Sequence, residues 1–378
     1  MDIKKVLLAP DSFKECMTAK EVCIAMEKGI KRVNKNIECI HVPMADGGEG
    51  TTQSLVDATG GTMYNCEVYG PMGDKVIARY GILGDGKTAV IEMAEASGIQ
   101  LVNIEDRNPM IATTYGTGEL IKEVLDKNVE RIIIGIGGSA TNDAGAGMLQ
   151  ALGISLKDYN GNELSFGGGE LGKLKTIDIS NIDSRLSKVE IEVACDVKNY
   201  LTGENGASYV FGAQKGADSK MIKILDNNLK NFSDVVRSQL KKEIDMIEGA
   251  GAAGGLGAAL AGFFNAKMKK GIDLVIEYSG LEEKVKDVDI VLTGEGSIDF
   301  QTKFGKTPIG VSTISKKYNK PVIAFSGKVG QEIDELYDLG IKSVIGIVPG
   351  IVTIEEALKN GVKNLEVSVE NIFRILDL

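Results

Sequence analysis

Short runs of apolar, often β-branched residues recur along the chain, and each ends near a glycine, aspartate or serine. The runs span residues 6–12, 40–46, 132–139, 290–297, 322–326 and 344–350. Uninterrupted apolar runs are typical of strands buried on both faces of a parallel sheet. Helical patterns lie between them, and Thr18 with Glu21 forms a capping box that predicts the start of one helix. The alternation of strands and helices predicts an α/β fold with a doubly wound parallel sheet.

Two other stretches show a different pattern. Residues 61–104 and 155–195 contain β-rich runs separated by Asp-Gly at 85–86 and Asn-Gly at 160–161. Such pairs are typical of hairpins between antiparallel strands. Residues 217–248 carry apolar side chains at spacings of three and four and predict a long amphipathic helix or a pair of helices. Because 378 residues exceed what one core usually supports, we expect these stretches to form a second α/β domain.

Charge and cysteine usage narrow the function classes. The net charge of −10 leaves no basic face for nucleic acid. No run reaches the length of a membrane span, and the first apolar run is too short for a signal-peptide core. Five separated cysteines and the single histidine, His41, disfavour a zinc site, a disulfide framework or a histidine-based triad. We therefore expect a cytoplasmic protein, monomeric or homodimeric, without nucleic-acid or membrane partners.

One glycine motif matches a phosphate-binding pattern but is set aside. Residues 81–88 (GILGDGKT) match the P-loop letter for letter. A P-loop requires a helix directly after its Lys-Thr pair, whereas the runs at residues 80–83 and 88–93 flank the Asp-Gly pair like two strands. We predict a hairpin turn here.

A second glycine motif supports an alternative enzyme class. Residues 135–140 (GIGGSA) follow a predicted strand and fit the dinucleotide fingerprint, with Asp158 at a suitable distance to bind a ribose hydroxyl. This pattern would suit an NAD-dependent dehydrogenase of a small hydroxy acid. Residues 139–143 (SATND), however, carry more hydroxyl and carboxylate groups than a dinucleotide turn requires. Free amide groups at this turn also suit a phosphate or a substrate carboxylate.

Two acidic glycine loops follow predicted strands, at residues 44–51 (MADGGEGT) and 293–299 (TGEGSID). Sheets of this class place ligands at such strand ends. Lysines lie in or beside three further glycine- or serine-bearing loops: Lys14, Lys215 and Lys306. Cationic clamps, carboxylates for Mg²⁺ and an acidic general base such as Asp196 are what phosphoryl transfer requires. The inventory therefore favours a phosphotransferase.

Seven motifs, in this order along the chain, together resemble those of the bacterial class I glycerate kinases. They are residues 9–14 (APDSFK), 44–51, 137–143, 195–197 (CDV), 214–217 (QKGA), 251–257 and 293–306. The resemblance spans nearly the whole chain. It implies ATP-dependent phosphorylation of glycerate with Mg²⁺, and it favours 2-phosphoglycerate as the product while leaving 3-phosphoglycerate open.

The resemblance also implies a domain organisation. A discontinuous flavodoxin-like or Rossmann-like domain of residues 1–60 and 280–378 would hold an inserted α/β domain of residues 61–279, with the active-site cleft between them. Residues 132–152 then belong to the inserted domain, whereas the strand pattern alone places them in the doubly wound sheet.

The resemblance implies a set of site residues, whose individual roles are our interpretation. As catalytic residues we expect Asp46 or Asp196 as the base and Lys14 as an anion clamp. The expected substrate or phosphate contacts are Gly47, Gly48, Glu49, Gly137, Gly138, Ser139, Thr141, Asn142, Asp143, Lys215, Gly254 and Gly255. The expected nucleotide contacts are Gly294, Glu295, Gly296, Asp299, Gln301 and Lys306, with Glu295 and Asp299 also as magnesium contacts.

Several positions depart from the usual pattern of that family. Glu15 and Cys16 stand where a glycine and a small hydroxyl residue are usual, and Tyr200 and Ala213 replace prolines. Ala144 stands where glycine is common, which we expect to be a mild steric change. Because none of these changes removes a reactive group, we expect them to affect substrate affinity more than reaction type.

Overall fold

The computed structural model describes residues 3–377; Met1, Asp2 and Leu378, which the expected first domain includes, lie outside the described residues. The strands are β1 (Lys5–Leu8), β2 (Glu38–His41), β3 (Thr62–Tyr69), β4 (Lys75–Ile82), β5 (Thr88–Glu92), β6 (Arg131–Gly135), β7 (Ser155–Lys157), β8 (Thr176–Asp178), β9 (Glu190–Ala194), β10 (Lys267–Lys269), β11 (Ile290–Ile298), β12 (Val322–Val329) and β13 (Ile341–Gly346).

The α-helices are α1 (Ala19–Val33), α2 (Thr51–Thr59), α3 (Ala94–Ser97), α4 (Tyr115–Leu125), α5 (Ala146–Ala151), α6 (Ala207–Phe211), α7 (Ser219–Leu240), α8 (Leu256–Phe264), α9 (Gly271–Ser279), α10 (Leu281–Lys286), α11 (Thr307–Lys317), α12 (Asp334–Asp338), α13 (Ile354–Lys359) and α14 (Gly361–Leu376). Short 3₁₀ helices lie at Ile99–Leu101, Ile104–Asp106, Gly168–Lys173, Ser184–Lys188, Ala213–Lys215, Ala252–Gly255 and Phe300–Phe304.

The described residues form two compact units. Unit 1 contains the residues up to Asp46, Gln53–Gly60 and the residues from Ile272 onward. Unit 2 contains Gly47–Thr52 and Gly61–Gly271. Residues 47–52 and 272–279 are the two stretches whose assignment differs from the domain boundaries expected from the sequence.

Unit 1 is built on a parallel sheet with the strand order β13-β12-β11-β1-β2. Successive residues of a strand point to opposite faces, so a strand buried on both sides needs apolar residues throughout. Phe325 of β12 packs with α1 and α14 on one face, while its neighbour Ala324 packs with Ile309 of α11 and Leu336 of α12 on the other. The predicted doubly wound α/β sheet is confirmed.

Helix α1 begins where the sequence predicts. Thr18 and Glu21 form the capping box, in which the Thr18 side chain accepts from the Glu21 N–H and the Glu21 side chain accepts from the Thr18 N–H. Val22, Met26 and Ile30 are buried on the face that packs in the core of unit 1. Local capping and apolar periodicity therefore agree with the tertiary packing.

Unit 2 contains a mixed sheet with the strand order β10-β9-β6-β5-β4-β3. Strands β3, β4 and β5 pair antiparallel, whereas β5, β6, β9 and β10 run parallel. Strand β6 and helix α5 belong to this unit, so the strand pattern alone placed residues 132–152 in the wrong sheet. Apolar strands of two sheets look alike in sequence, and only their pairing distinguishes them.

One of the hairpin regions predicted in unit 2 is confirmed, and another is not. The Asp-Gly pair at 85–86 lies in the hairpin between β4 and β5, as predicted, and the Asp85 carboxylate accepts from the N–H groups of Lys87 and Thr88. The region of β9 was expected to form hairpins, but β9 lies parallel between β6 and β10. The long helix predicted within residues 217–248 is α7, which Asp218 caps.

Within residues 3–377, no helix is both long and apolar enough to cross a bilayer.

Candidate functional site

Unit 1 gathers polar side chains where β1 and β11 end. In this strand order the crossovers diverge between these two neighbours, and sheets of this kind bind ligands in the crevice beside such strand ends. Asp11 follows β1, and its backbone N–H donates to the Gly294 carbonyl of β11 over 2.8 Å. The switch-point cluster is defined here as Asp11, Glu295, Thr302, Lys306 and Thr307.

Glu295 has two partners in the switch-point cluster. Thr302 Oγ1 donates to Glu295 Oε1 over 2.8 Å, and Lys306 Nζ lies 3.1 Å from Glu295 Oε2. Burial raises the pKa of Glu295, and the Lys306 ammonium and the Thr302 hydroxyl oppose this rise. Lys306 is also the residue that precedes α11, so its charge adds to the positive end of that helix. The cluster therefore contains a cationic side beside its carboxylates.

Asp11 belongs to this cluster although it is absent from the site residues predicted from the sequence. Thr307 Oγ1 donates to Asp11 Oδ2 over 2.5 Å, and the Ser12 N–H donates to Asp11 Oδ1 over 2.6 Å. The pKa of Asp11 is raised to about 7, mainly by burial and in smaller part by the carboxylates of Asp46 and Glu295. Its position after β1, in the motif at residues 9–14, was the signal that could have identified it.

The loop after β1 approaches the second half of β11, where two glycines lie. A Cβ atom at Gly296 would lie 3.5 Å from the backbone nitrogen of Lys14, and the Lys14 side chain is exposed. A Cβ atom at Gly294 would lie 2.3 Å from the Phe325 carbonyl oxygen, so this glycine is required for the pairing of β11 with β12. Gly296 thus adjoins the predicted anion clamp, whereas the requirement at Gly294 is structural.

Asp299 and Gln301 lie at the start of a 3₁₀ helix. The Gln301 N–H donates to Asp299 Oδ1 over 2.9 Å, and the Asp299 N–H donates to the Thr302 hydroxyl. Within residues 3–377, no group of three or more histidine, cysteine, aspartate or glutamate side chains is arranged to hold a metal ion. Glu295 and Asp299 therefore already bind protein donors, and their role as magnesium contacts stays a prediction.

In unit 2, the segment that follows β6 brings several predicted residues together. We call residues 136–145 the β6 loop. Lys215 reaches this loop from a 3₁₀ helix, and its Nζ donates to Ser139 Oγ over 2.8 Å and to the Thr141 carbonyl over 2.7 Å. Only 2% of Lys215 is exposed, and burial lowers its pKa to about 7 against the opposing effect of the Asp143 carboxylate. This lysine is therefore buried against the loop.

Asp143 holds the β6 loop in place. Its Oδ2 accepts from the N–H and the hydroxyl of Thr114, each over 2.9 Å, and from the Gly147 N–H over 3.3 Å, while its Oδ1 accepts from the Gly145 N–H over 3.2 Å. Burial raises the pKa of Asp143, and these hydrogen bonds oppose the rise. The contacts described for this predicted ligand residue are all with the protein.

The predicted glycines around the β6 loop have different roles. Gly137 and Gly138 are exposed, and a Cβ atom at Gly137 would meet nothing within 4 Å. Gly254 has a φ of +67°, and its Cβ atom would lie 2.1 Å from the Thr141 carbonyl oxygen. Gly255 also has a positive φ, of +96°, and a Cβ atom there would lie 2.8 Å from the Cα atom of Ala144. Gly254 and Gly255 therefore allow the loop to pack closely, and Gly137 and Gly138 leave its backbone open.

The acidic glycine loop at residues 47–52 is held by a residue that sequence reasoning missed. Glu92, buried at the end of β5, accepts from the Gly50 N–H over 3.2 Å and from the Thr52 N–H over 2.8 Å. Gly47 has a φ of +94°, and its Cβ atom would lie 2.4 Å from the Cα atom of Gly271. Glu92 looks like the last residue of an ordinary strand in the sequence, so no local signal marks this contact.

The other residues of this edge follow β9 or lie in the same acidic loop. Asp196 is exposed after β9, and its Oδ1 accepts from the Gly271 N–H over 3.1 Å. The Gly48 carbonyl accepts from the Thr51 hydroxyl over 2.8 Å, and Glu49 is exposed. The ends of β5, β6 and β9 thus carry Glu92, the β6 loop and Asp196 at the same edge of the sheet of unit 2.

Two departures from the family pattern carry backbone strain. Glu15 has a φ of +61° and Ala144 a φ of +52°, a region in which glycine is favoured. The expectation that Ala144 is only a mild steric change therefore misses its backbone conformation. Cys16 donates from Sγ to the Leu358 carbonyl over 3.1 Å, so it packs within unit 1. Ala213 starts the 3₁₀ helix that ends at Lys215.

The dinucleotide alternative does not match the structure. A dinucleotide fingerprint opens a helix directly at the strand end. Here β6 ends at Gly135, and the helix that follows, α5, begins only at Ala146. Asp158 lies in an exposed turn, where its Oδ1 accepts from the N–H groups of Asn160 and Asn162. The geometry therefore does not support a nicotinamide-cofactor site at residues 135–140.

Comparison with known proteins gives a consistent picture. The Glycerate kinase family matches residues 6–377. A glycerate kinase of Halalkalibacterium halodurans is 51% identical over 367 residues, which cover 97% of both chains. A glycerate 2-kinase of Escherichia coli K12 is 50% identical over 361 residues, which cover 96% of this chain and 95% of that protein. A crystal structure from Salmonella typhimurium LT2, described as a glycerate kinase 2, matches with a TM-score of 0.91 and 46% identity over 99% of this chain and 98% of that chain.

Proposed function

The chain belongs to the glycerate kinase family, and from this we propose that it uses ATP to phosphorylate glycerate at the 2-hydroxyl group. The observation that carries the proposal is the extent of the match, which runs through residues 6–377 and so includes both units. The 2-position is supported by the 50% identity to a protein named glycerate 2-kinase.

We assign the nucleotide to unit 1 and glycerate to unit 2. The support in unit 1 is the position of the switch-point cluster, at the strand ends where sheets of this order bind ligands, with Lys306 at a helix N-terminus. The support in unit 2 is the β6 loop, where one buried ammonium group suits the single carboxylate of a small acid. Phosphoryl transfer relies on such positioning and charge compensation.

For the base that takes the hydroxyl proton, we propose Asp46 or Asp196. His41 is the single histidine of the sequence, and its Nε2 lies 2.8 Å from Glu27 Oε2 on α1. It is therefore already paired with an acid of that helix. Asp46 and Asp196 each follow a strand of a parallel sheet, where a carboxylate can meet a substrate.

Magnesium is expected for a kinase. The described residues form no three-residue metal site, and Glu295 is already paired with Lys306. Kinases usually hold Mg²⁺ through substrate phosphates and one or two carboxylates. The described residues thus fit a protein-built magnesium cage poorly. We also propose a cytoplasmic location, with which five free cysteines agree.

The product is tested by coupling the reaction to enolase and pyruvate kinase without a phosphoglycerate mutase. Because enolase acts on 2-phosphoglycerate, we expect NADH loss through lactate dehydrogenase as soon as glycerate and ATP are mixed with the enzyme. A parallel sample with added mutase is the control. A signal that requires the mutase would show the 3-isomer, and release of ADP without glycerate consumption would contradict the proposed function.

A further inference from the structure

A buried ammonium group, that of Lys215, packs against the β6 loop, and among residues 3–377 no carboxylate lies within ion-pair distance of it. The two described hydrogen bonds of Lys215 Nζ go to a hydroxyl and a carbonyl oxygen, both of them uncharged. The carboxylate that acts on it, Asp143, already accepts from four N–H or O–H donors. Buried charges in proteins are normally paired, because removal from water without a partner is costly. An ammonium group has three donors, so Lys215 can still bind an anion.

Two buried oxygen atoms of the same loop also lack hydrogen-bond partners in the described part of the chain. They are Thr141 Oγ1 and Asn142 Oδ1, and both residues are 0% exposed. Asn142 Nδ2 donates to Ser208 Oγ over 3.0 Å, which leaves the carbonyl side of this amide as the free acceptor. Buried polar atoms are nearly always hydrogen-bonded, so an unsatisfied pair in one loop points to a ligand that supplies the missing groups.

We propose that Lys215, Thr141 and Asn142 form a hydroxy-acid subsite. Lys215 and Thr141 donate hydrogen bonds to the carboxylate, and Asn142 Oδ1 accepts a hydrogen bond from the hydroxyl group that is not phosphorylated. The subsite rests on the proposed function. An amide oxygen can accept a hydrogen bond but cannot remove a proton at neutral pH, whereas the reacting hydroxyl needs a base. Asn142 therefore binds the other hydroxyl, and it makes the site specific for acids that have both.

The chemistry of the three groups explains why they occur together. A lone ammonium group would bind any small carboxylate. The amide oxygen adds a requirement for a hydroxyl group, because an analogue without it leaves Asn142 Oδ1 buried and unpaired in the complex. Asn142 is therefore the residue that should discriminate between acids with and without the second hydroxyl group.

The test compares glycerate with lactate, which has the same carboxylate and 2-hydroxyl group but no 3-hydroxyl group. Dissociation constants of both acids are measured by titration calorimetry, in which an inactive fraction changes the stoichiometry and not the constant. We expect the wild-type protein to bind glycerate at least about tenfold more tightly than lactate. In Asn142→Ala the ratio of the two constants should fall to near one.

Ser208→Ala is the matched control. It removes the same Asn142–Ser208 hydrogen bond but leaves Oδ1, so the ratio should stay close to that of the wild type. If Asn142→Ala does not fold, Thr141→Val is used, which exchanges the hydroxyl for a methyl group of similar shape. This variant should weaken the binding of glycerate and of lactate by the same factor.

A wild-type ratio that persists in Asn142→Ala, or a Thr141→Val variant with unchanged constants for both acids, would overturn the subsite. Failure of the proposed function is distinguishable, because the wild-type protein would then not phosphorylate glycerate in the coupled assay.

Discussion

The switch-point cluster of unit 1 and the β6 loop of unit 2 use the same side-chain types but pair their charges differently. In unit 1, Lys306 pairs with Glu295, and the carboxylates of Asp11 and Asp46 add further negative charge. In unit 2, Lys215 is buried against neutral oxygens of the loop. The cluster in unit 1 has more carboxylates than ammonium groups, whereas in unit 2 the Lys215 ammonium group is not hydrogen-bonded to a carboxylate and the nearby Asp143 accepts from four other protein donors.

Burial explains the pKa shifts on both sides of this comparison. It disfavours whichever form carries charge, so the pKa of Asp11 rises to about 7 and the pKa of Lys215 falls to about 7. In each region a ligand of opposite charge would restore the charged form. The β6 loop therefore favours an anion, and we infer that the switch-point cluster favours a ligand that brings positive charge with its phosphates.

The largest expected effect concerns which region supplies the base. We predict that Asp196→Asn lowers kcat by about 10²–10⁴-fold, because the amide cannot take the hydroxyl proton. The fold should be unchanged, because an amide oxygen can still accept from the Gly271 N–H. Steady-state kinetics and a thermal melt measure the two properties.

Asp46→Asn is the matched variant in unit 1. A near-normal kcat in Asp196→Asn together with a large loss in Asp46→Asn would move the base from unit 2 to unit 1. Similar large losses in both would show that each carboxylate is needed, and pH–rate profiles would then show which substitution abolishes the fall in rate at low pH, where the base is protonated.

The next effect is the pH dependence of glycerate binding. The folded protein without ligand has a Lys215 pKa of about 7, below the ordinary 10.5, and a bound carboxylate should raise it. Binding then takes up a proton above pH 7, so the affinity for glycerate should be highest below pH 7. It should fall by up to about tenfold per pH unit above it. Dissociation constants between pH 6 and 9 measure this dependence.

Lys215→Met provides the control for the pH prediction. It should bind glycerate weakly and without the fall in affinity above pH 7, because the titrating group is gone. A wild-type affinity that is flat from pH 6 to 9 would contradict the charge balance described for unit 2. In unit 1 the titrating group is Asp11, and the property that depends on pH is folding stability. Because the pKa of Asp11 is raised in the folded protein, its contribution to stability is present at low pH and is lost as the pH rises through about 7.

The smallest expected effect is on the free energy of unfolding, and it compares backbone strain at one position in each unit. Glu15 in unit 1 and Ala144 in unit 2 both have positive φ angles. We predict that Glu15→Gly and Ala144→Gly each stabilise the protein by about 0.5–1 kcal/mol, because relief of left-handed strain exceeds the entropy gained by the unfolded chain. Denaturant unfolding measures the change. Asn128→Gly is a control with a small expected effect, because asparagine tolerates its φ of +56°.

Much of the fold follows from local patterns in the sequence. Buried parallel strands require continuous apolar runs, and these identified β1, β6, β11 and β12. The hairpin at residues 81–88 was predicted from its Asp-Gly turn, although the same residues match the P-loop pattern. The strand pattern failed at residues 132–152 because it contains no information about which sheet a strand joins.

The candidate site was predictable in part. The motifs identified the loops that carry Glu295, Lys306 and Lys215, but not the partners of those residues. Asp11 and Glu92 were missed, since each becomes distinctive only through contacts with distant residues such as Thr307 and Thr52. Asp143 was predicted as a ligand contact, and its described hydrogen bonds are internal.

The fold class, the capped helix at Thr18, the ordered motifs of the family and the kinds of groups available for catalysis follow from the sequence. These depend on spacing over a few residues, which periodicity, capping and turn chemistry reveal. The tertiary structure alone decided that Lys215 is buried on the β6 loop and that Thr141 and Asn142 have unpaired oxygens there. Burial and hydrogen bonding are set by residues far apart in the chain, and 74 positions separate Lys215 from Thr141.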